Sequence, residues 1–359
     1  TGGSGGAIIW SGSHGIVNNS RFINNTAARH GGAVYMQGTS EENCTNTTYD
    51  LCYFEGNNAT INGGALDWHD NAHEGLVNNS YFINNRAGAN GGAVFWLGHD
   101  GNITHSNFTS NYALGNVADD YQNQGDGGAV IWGGLNGYVD DCWFKFNNAS
   151  ARGGAVYIHS CEHANNNTHF TNSHFINNTA GTNGGAIDWH AGAENGTVSK
   201  TEFINNTAHV NGGAIYWNGI NGSIIDSNFT NNSAYQNGGA VYWEGNQGLI
   251  NGSIFKYNNA TGYLNSSRIV NYHNDNTGVD EVHYDILGGD GGAIEWKGSE
   301  ATIENTTFYK NTASYRGGSI FFTNLGDENC ENITIKSSSF TENYAGLNGG
   351  ALDWSKGAN

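Results

Sequence analysis

Apolar positions recur along this chain in a fixed phase that is not helical. Eleven times a Phe is followed three residues later by Asn and five residues later by Ala, from Phe22, Asn25 and Ala27 to Phe340, Asn343 and Ala345. Five residues before each Phe stands an apolar residue, as at Val17, Tyr49, Val139, Phe170 and Ile335, and two before it stands Ser, Thr or Cys. Positions between these vary among Asn, Lys, Glu, Thr and Arg. Constant positions are expected to face a packed interior and variable ones to face water.

A second motif alternates with the first. Gly-Gly-Ala begins at Gly5, Gly31, Gly63, Gly91, Gly127, Gly153, Gly184, Gly212, Gly238, Gly291 and Gly349, with Gly-Gly-Ser at Gly317. The third residue after the first Gly is always Ile, Val or Leu, and the fifth is Trp in nine of the twelve copies. Those two positions share parity, which places them on one face of a strand. The position between them is mixed (Asp67, Asp188, Tyr216, Tyr242, Glu295) and is expected on a solvent face. The lack of 3.6-residue spacing and the Gly and β-branched content exclude a helix.

In nine of eleven units the Phe lies nine residues before the next Gly-Gly, and the shortest unit is 26 residues. A period of this size means a stack of repeats. Each unit holds three short extended segments separated by Gly and Asn turns. Alone, such a unit leaves its strand edges unpaired, whereas stacking on the next unit at about 4.8 Å pairs them. The sequence therefore predicts an all-β fold, a right-handed parallel β-helix with three short strands per coil and about twelve coils, the handedness following that of parallel crossovers. Residues 1–359 form a single domain in this reading, with loop insertions at 114–126 and 261–290. Identical residues should stack into ladders. The Trp and Phe ladders belong in the core. The Asn ladder comprises Asn25, Asn57, Asn85, Asn111, Asn147, Asn178, Asn206, Asn232, Asn258, Asn311 and Asn343. Each Asn sits in a turn, where it can bond its own backbone, tolerate a left-handed conformation and pass an amide bond to the next coil.

Composition sharpens this picture. With 55 Gly and 56 Asn the chain resembles low-complexity sequence, but 12% aromatic residues is too many for disorder. There is no Pro, as expected of a backbone whose N–H groups are nearly all in use. Collagen is excluded by the absence of its Gly period, and a helical membrane span by the absence of a long apolar run. A net charge of −19 argues against a nucleic-acid partner and against docking on an anionic membrane. The repeat is already under way at Gly5 and stops within a unit, so the sequence is expected to be a piece of a longer chain.

A longer-range pattern is visible as well. Three coils replace Trp by Met36, Ile158 or Phe322. They carry 17 or 18 residues from that position to the next Phe against the usual 12, with Cys44, Cys161 or Cys330 in the excursion. Each is followed by a coil with Asp before Trp: Asp67, Asp188 and Asp353. This implies a super-repeat of four or five coils that decorates one side of the rod at intervals.

Candidate chemistry follows from these positions. Cys52 and Cys142 occupy the small-residue ladder and are expected to be buried thiols standing in for Ser. Cys44 and Cys52 are close enough in sequence for a disulfide within one loop. Asp67, His69, Asp70, His73 and Glu74, with Asp188, His190 and Glu194 in the sister coil, are ligand types for a divalent cation, although a solvated polar face is the simpler account of them. The acidic insertions (Asp119, Asp120 and Asp126; Asp275, Asp280, Glu281, Asp285 and Asp290) suit calcium, while the fold itself requires no cofactor. Of the 21 Asn-x-Ser/Thr sequons, Asn43, Asn102 and Asn195 exemplify glycosylation candidates, which an Asn-rich repeat also generates by chance. Tyr35, Phe95, Tyr157, Tyr216 and Tyr242 form a candidate outward binding stripe, and Arg268, His273 and His283 a candidate patch on the large insertion.

Gly-Gly-Ala-Ile alternating with Phe-x-x-Asn resembles the repeats of chlamydial polymorphic outer-membrane proteins. It is also similar to the adhesin-like surface proteins of methanogenic archaea, which are rich in Asn-Asn-Thr-Ala and Gly-Gly-Ala-Ile-Tyr-Trp segments. The resemblance covers almost the whole chain. It implies an extracellular cell-surface stalk or adhesin built on a right-handed β-helix. Its partner would be a glycan or protein on another cell, or copies of itself. One alternative is a structural protein that self-assembles into a surface layer or filament. Another is a polysaccharide lyase or hydrolase, for which Arg268, His273, Asp275, His283 and Asp285 form the one sufficiently dense patch. Because a catalytic site is a local break in a repeat and this surface repeats, the sequence points to a protein that is not an enzyme.

Overall fold

The computed structural model describes residues 3–38, 43–69, 71–116, 124–159, 167–274, 279–324, 330–355 and 358, with backbone alone for 263–274 and 279–287. The described residues form strands and turns without a helix. Each coil contributes three three-residue strands to three parallel sheets that run the length of the molecule. The first sheet has twelve strands, from Ile8–Trp10 to Leu352–Trp354. The second (Ile16–Asn18 to Thr334–Lys336) and third (Arg21–Ile23 to Ser339–Thr341) have eleven each. After the third strand a two-residue segment ending in the constant Ala forms a further eleven-stranded ladder, from Thr26–Ala27 to Tyr344–Ala345. This is the parallel β-solenoid that the repeat predicts, and its right-handed winding is that of parallel crossovers.

Register is set by the motifs. Trp217 pairs with Trp243, Phe229 with Phe255 and Ala234 with Ala260. Both insertions leave this register untouched, since Val94 pairs with Val130 and Val241 with Ile294 across them. The larger one carries an antiparallel hairpin, Tyr263–Asn274 against Val279–Leu287. Both glycines of Gly-Gly are required, for different reasons. Gly212 adopts φ 66°, and a Cβ on Gly213 would lie 2.1 Å from the Gly239 carbonyl of the next coil.

Ring stacks fill the interior. The Phe ladder from Phe22 to Phe340 keeps centroid spacings of 4.5 to 5.1 Å, and Trp189, Trp217, Trp243 and Trp296 stack at 4.3 to 4.7 Å. Where Trp is missing, the space is filled from another strand of the same coil. Tyr49 in the Met36 coil packs edge-on against Trp68 at 5.5 Å, and Phe170 in the Ile158 coil packs edge-on against Trp189 at 5.7 Å. Cysteine completes two of these coils. The thiols of Cys44 and Cys330 donate to the carbonyls of Gly12 and Gly298, which also accept from Trp10 and Trp296 Nε1.

The Asn ladder differs in two respects from expectation. The left-handed residue is the one before the ladder Asn, such as Asn205 at φ 55°, not the ladder Asn itself. Neither does the ladder side chain bond its own backbone. Asn206 Oδ1 accepts from both the backbone N–H and Nδ2 of Asn178 at 3.0 Å, while its Nδ2 donates to the Phe175 carbonyl and to Asn232 Oδ1. The left-handed turn aims the side chain inward, where stacking of identical coils repeats one bonding unit along the rod.

The expected Cys44–Cys52 disulfide is not formed; both are free buried thiols. Cys44 points to the Gly12 carbonyl, whereas Cys52 occupies the Ser ladder and donates to the Val17 and Asp50 carbonyls. Cys142 sits in the same ladder, donating its backbone N–H to Ser173 Oγ and its thiol to the Asp140 carbonyl, each at 3.2 Å. Cys161 lies outside the described residues.

Candidate functional site

The outer face of the first sheet is where the structure corrects the sequence most. Its central positions were expected to face water, yet Asp67, Tyr157, Asp188, Tyr242, Glu295 and Phe321 are at most 4% exposed. Parallel stacking lines these residues up, and longer side chains then cover them from both sides of the strand. One flank is the residue before Gly-Gly, including His30, Arg152 and Arg316. The other is the residue after the Trp position, including His69, His190, Glu244 and Lys297.

The super-repeat has a structural meaning on this face. Asp126, at the end of the first insertion, holds Arg152 through Nε at 3.0 Å and Nη2 at 2.6 Å, and that guanidinium lies 4.5 Å above the Tyr157 ring. Asp290, at the end of the second insertion, holds Arg316 at 3.0 and 2.8 Å, and Arg316 lies 4.1 Å above Phe321. In each case the next coil carries an Asp at the strand centre, Asp188 or Asp353. An earlier block has His30 in the place of the arginine, 3.5 Å from Asp67 and stacked on Tyr35. Asp126 and Asp290 thus each hold an arginine through two of its nitrogens. Asp119, Asp120 and Asp275 lie outside the described residues, and Asp280, Glu281 and Asp285 are described by backbone only.

Burial governs the electrostatics. Desolvation pushes the Asp188 carboxyl well above its usual range, and it pushes Glu295 up to about 8 against the pull of Lys297 at 3.4 Å. The same burial, aided by the neighbouring charges of His69 and Arg29, lowers His30 to about 4; His190, beside Arg152 and His159, falls to about 4. Burial thus opposes the charged forms of Asp188, Glu295, His30 and His190 near neutral pH, beside the Arg152–Asp126 and Arg316–Asp290 pairs. Neither oxygen of Asp188 accepts a hydrogen bond, nor does Glu295 Oε2.

The cation candidates do not assemble. Asp67 stands 3.4 Å from His69 and 3.5 Å from His30, but among the described residues no three His, Cys, Asp or Glu side chains are arranged to hold a metal ion. His73 stacks on His99 at 4.9 Å and its Nδ1 accepts the His99 N–H, so it continues a ring ladder. Asp70 is outside the described residues.

The binding stripe is only partly a surface. Tyr35, Phe95 and Tyr216 are half-buried, while Tyr157 and Tyr242 are buried. Tyr216 and Tyr242 stack at 5.3 Å with rings within 9° of parallel. Tyr216 Oη donates to Glu244 at 2.5 Å, and Lys297 Nζ donates to Tyr242 Oη at 2.5 Å. On the hairpin backbone His273 stands opposite Asp280 and His283 opposite Val270, and the side chains of Arg268, His273 and His283 are outside the description. Asn43 is exposed, Asn102 and Asn195 are half-buried, and Asn195 Oδ1 accepts from Asn221. Sequence reasoning missed Arg152, Arg316, Glu244, Lys297 and Asn218. Their signal was available as polar residues in a fixed phase just outside the two ends of the Gly-Gly strand.

Fold and face together define a parallel β-helix repeat protein. The family model for the Chlamydia polymorphic membrane protein repeat matches residues 19–37, 200–216 and 226–242. No curated protein matches the chain in sequence. Among solved structures, a mannuronic acid specific polysaccharide family 6 lyase from human gut microbiota is similar at 12% identity and a TM-score of 0.47, covering 98% of this chain and 72% of the lyase. The A-module of the Azotobacter vinelandii mannuronan C-5 epimerase gives 11% and 0.42 over 98% of this chain and 92% of the module. The tailspike protein of an E. coli bacteriophage, in complex with a pentasaccharide, gives 12% and 0.42 over 99% and 60%.

Proposed function

We propose that this β-helix is an extracellular segment of a cell-surface protein, an adhesin or stalk that holds the first-sheet face and the 261–290 hairpin toward a partner on another cell. The observation that carries this reading is the block-wise recurrence of the Asp–Arg–aromatic–Asp arrangement along one side of the rod. A surface repeated at intervals suits repeated contacts, each adding to avidity, whereas a single catalytic centre has no need of copies. The match to a polymorphic membrane protein repeat supports a surface location, and the likeness of the motifs to archaeal adhesin-like proteins supports the adhesin role. The test is attachment of the purified, labelled rod to cells, compared with a form lacking residues 263–287. Loss of attachment with an unchanged strand spectrum supports the hairpin as a contact. Undiminished attachment removes the hairpin from the assignment, and a rod that attaches to no cell type refutes the adhesin reading. Self-assembly into a layer or filament is the second reading, checked by sedimentation of the same rod.

A further inference from the structure

The residue after the Trp position occupies one phase in every coil. In the seventh to tenth coils it is His190, Asn218, Glu244 and Lys297, all half-buried. Their backbone N–H groups donate in turn to Ile158, Trp189, Trp217 and Trp243 at 2.7 to 3.1 Å. The four side chains thus rise along the rod in steps of about 4.8 Å, the spacing of paired strands. Tyr216 and Tyr242 stand beside this row with their rings stacked and their hydroxyls bound to Glu244 and Lys297. At either end of the tyrosine pair lies a buried carboxyl with an unpartnered oxygen, Asp188 below and Glu295 above.

We propose that this row, from His190 through Asn218 and Glu244 to Lys297 with Tyr216 beside it, is a binding site for an uncharged polysaccharide chain lying along the rod axis. The proposal rests on the reading that this face meets a partner, and it names the partner's chemistry.

Three arguments select that chemistry. The cations at this face are engaged: Arg152 with Asp126, Arg316 with Asp290, and Lys297 with the Tyr242 hydroxyl. An anionic polymer would have to break those pairs at a chain that is already strongly acidic. A cationic ligand would need ionised carboxylates on the floor, and burial opposes ionisation of Asp188 and Glu295. What remains is a line of hydroxyl, amide, imidazole and carboxyl groups that can donate and accept, matched to a ligand rich in hydroxyls. A peptide would typically add to a free strand edge, but along this stretch each first-sheet strand is paired on both sides. The coil repeat also sets a step comparable with one sugar ring of an extended chain. Successive rings would therefore meet equivalent side chains over the three strand steps, roughly 14 Å, from Asp188 to Glu295.

The test is affinity electrophoresis of the folded rod in native gels cast with hydroxyethyl cellulose, mannan or galactan as neutral probes, and alginate or polygalacturonate as anionic ones. The expected result is retardation by a neutral probe, weakened at least tenfold in the Tyr216→Phe/Glu244→Gln double variant at an unchanged melting temperature. An Asn218→Ala variant, which removes the Asn218 contact to Tyr216 but keeps the Tyr216–Glu244 and Tyr242–Lys297 bonds, should weaken it as well. Retardation by the anionic probes alone, neutral binding unchanged in both variants, or no retardation by any neutral probe overturns the proposal. Attachment to cells that persists in the double variant removes this site while leaving the adhesin reading standing; absence of both cell attachment and polysaccharide binding overturns the two together.

Discussion

The Asn ladder offers the sharpest test of how the rod is held together. Asn206 is fully buried, and its side chain takes part in four hydrogen bonds: Oδ1 from the N–H and Nδ2 of Asn178, and Nδ2 to the Phe175 carbonyl and Asn232 Oδ1. Its backbone N–H also donates to Asn232 Oδ1, and that bond survives truncation. Asn206→Ala therefore strips the Asn178 N–H, one Asn178 amide proton and the Phe175 carbonyl of their Asn206 partners at a fully buried site. At about 1–3 kcal/mol for each of these three buried polar groups left unpaired, the loss should be roughly 3–9 kcal/mol. Asn25→Ala is the control. Asn25 is half-buried and its side chain bonds to Asn57 alone, at 2.9 Å, so its loss should stay near 1 kcal/mol. The assay is urea unfolding followed by strand circular dichroism, with hydrogen exchange at the Asn178 amide as a local readout. Because coils interact mainly with their neighbours, protection should fall first around coils six and seven, which hold Asn178 and Asn206. A loss below about 1 kcal/mol for Asn206→Ala, or one no larger than for Asn25→Ala, would refute the claim that the ladder carries stability.

The remaining predictions concern protonation and thiols. Glu295 titrates near 8 in the folded chain and lower when unfolded, so the folded state binds the extra proton between those values and stability should fall as pH rises through them. Glu295→Gln should flatten that decline in a series of melting curves from pH 5 to 9; an unchanged slope would show that Glu295 is ionised when folded. His30 and His190 titrate near 4 when folded and near 6.5 when unfolded, so their contribution is present above about 6.5 and is lost as pH falls toward 4. The double variant His30→Gln/His190→Gln should lose less stability than the parent over that acid limb, and an equal loss would point to other groups. Cys142→Ser keeps the ladder geometry and should change stability by less than about 1 kcal/mol. Burial pushes the Cys142 thiol up to about 12, so Cys142, Cys44, Cys52 and Cys330 should stay unreactive toward a thiol reagent until the chain unfolds. Fast labelling of any of these four in the native state would contradict the described packing.

How much was legible in the sequence differs between the two faces of the first sheet. Inward positions must recur in every coil because each stacks on its own copy, and so Trp217, Phe229 and Asn206 announced themselves by period alone. Gly212 and Gly213 were equally readable, one through its backbone angle and one through the neighbouring chain it touches. The outward positions were misjudged because polarity along one strand says nothing about what folds over it. Asp188 is buried by His190, Tyr157 and Arg152, which come from other strands and corners. Likewise, nothing local reveals that Asp126 and Asp290 meet arginines 26 residues away.

The sequence by itself determined the coil, its three strands, the register and the ladders, since a repeat that pairs only with itself leaves those choices to local pattern. Tertiary structure alone decided which polar residues are covered, which thiols stay apart and which carboxyls are neutral. Those outcomes depend on side chains converging from different coils and on the low polarity of the space they enclose, neither of which is written in the spacing of residues along one strand.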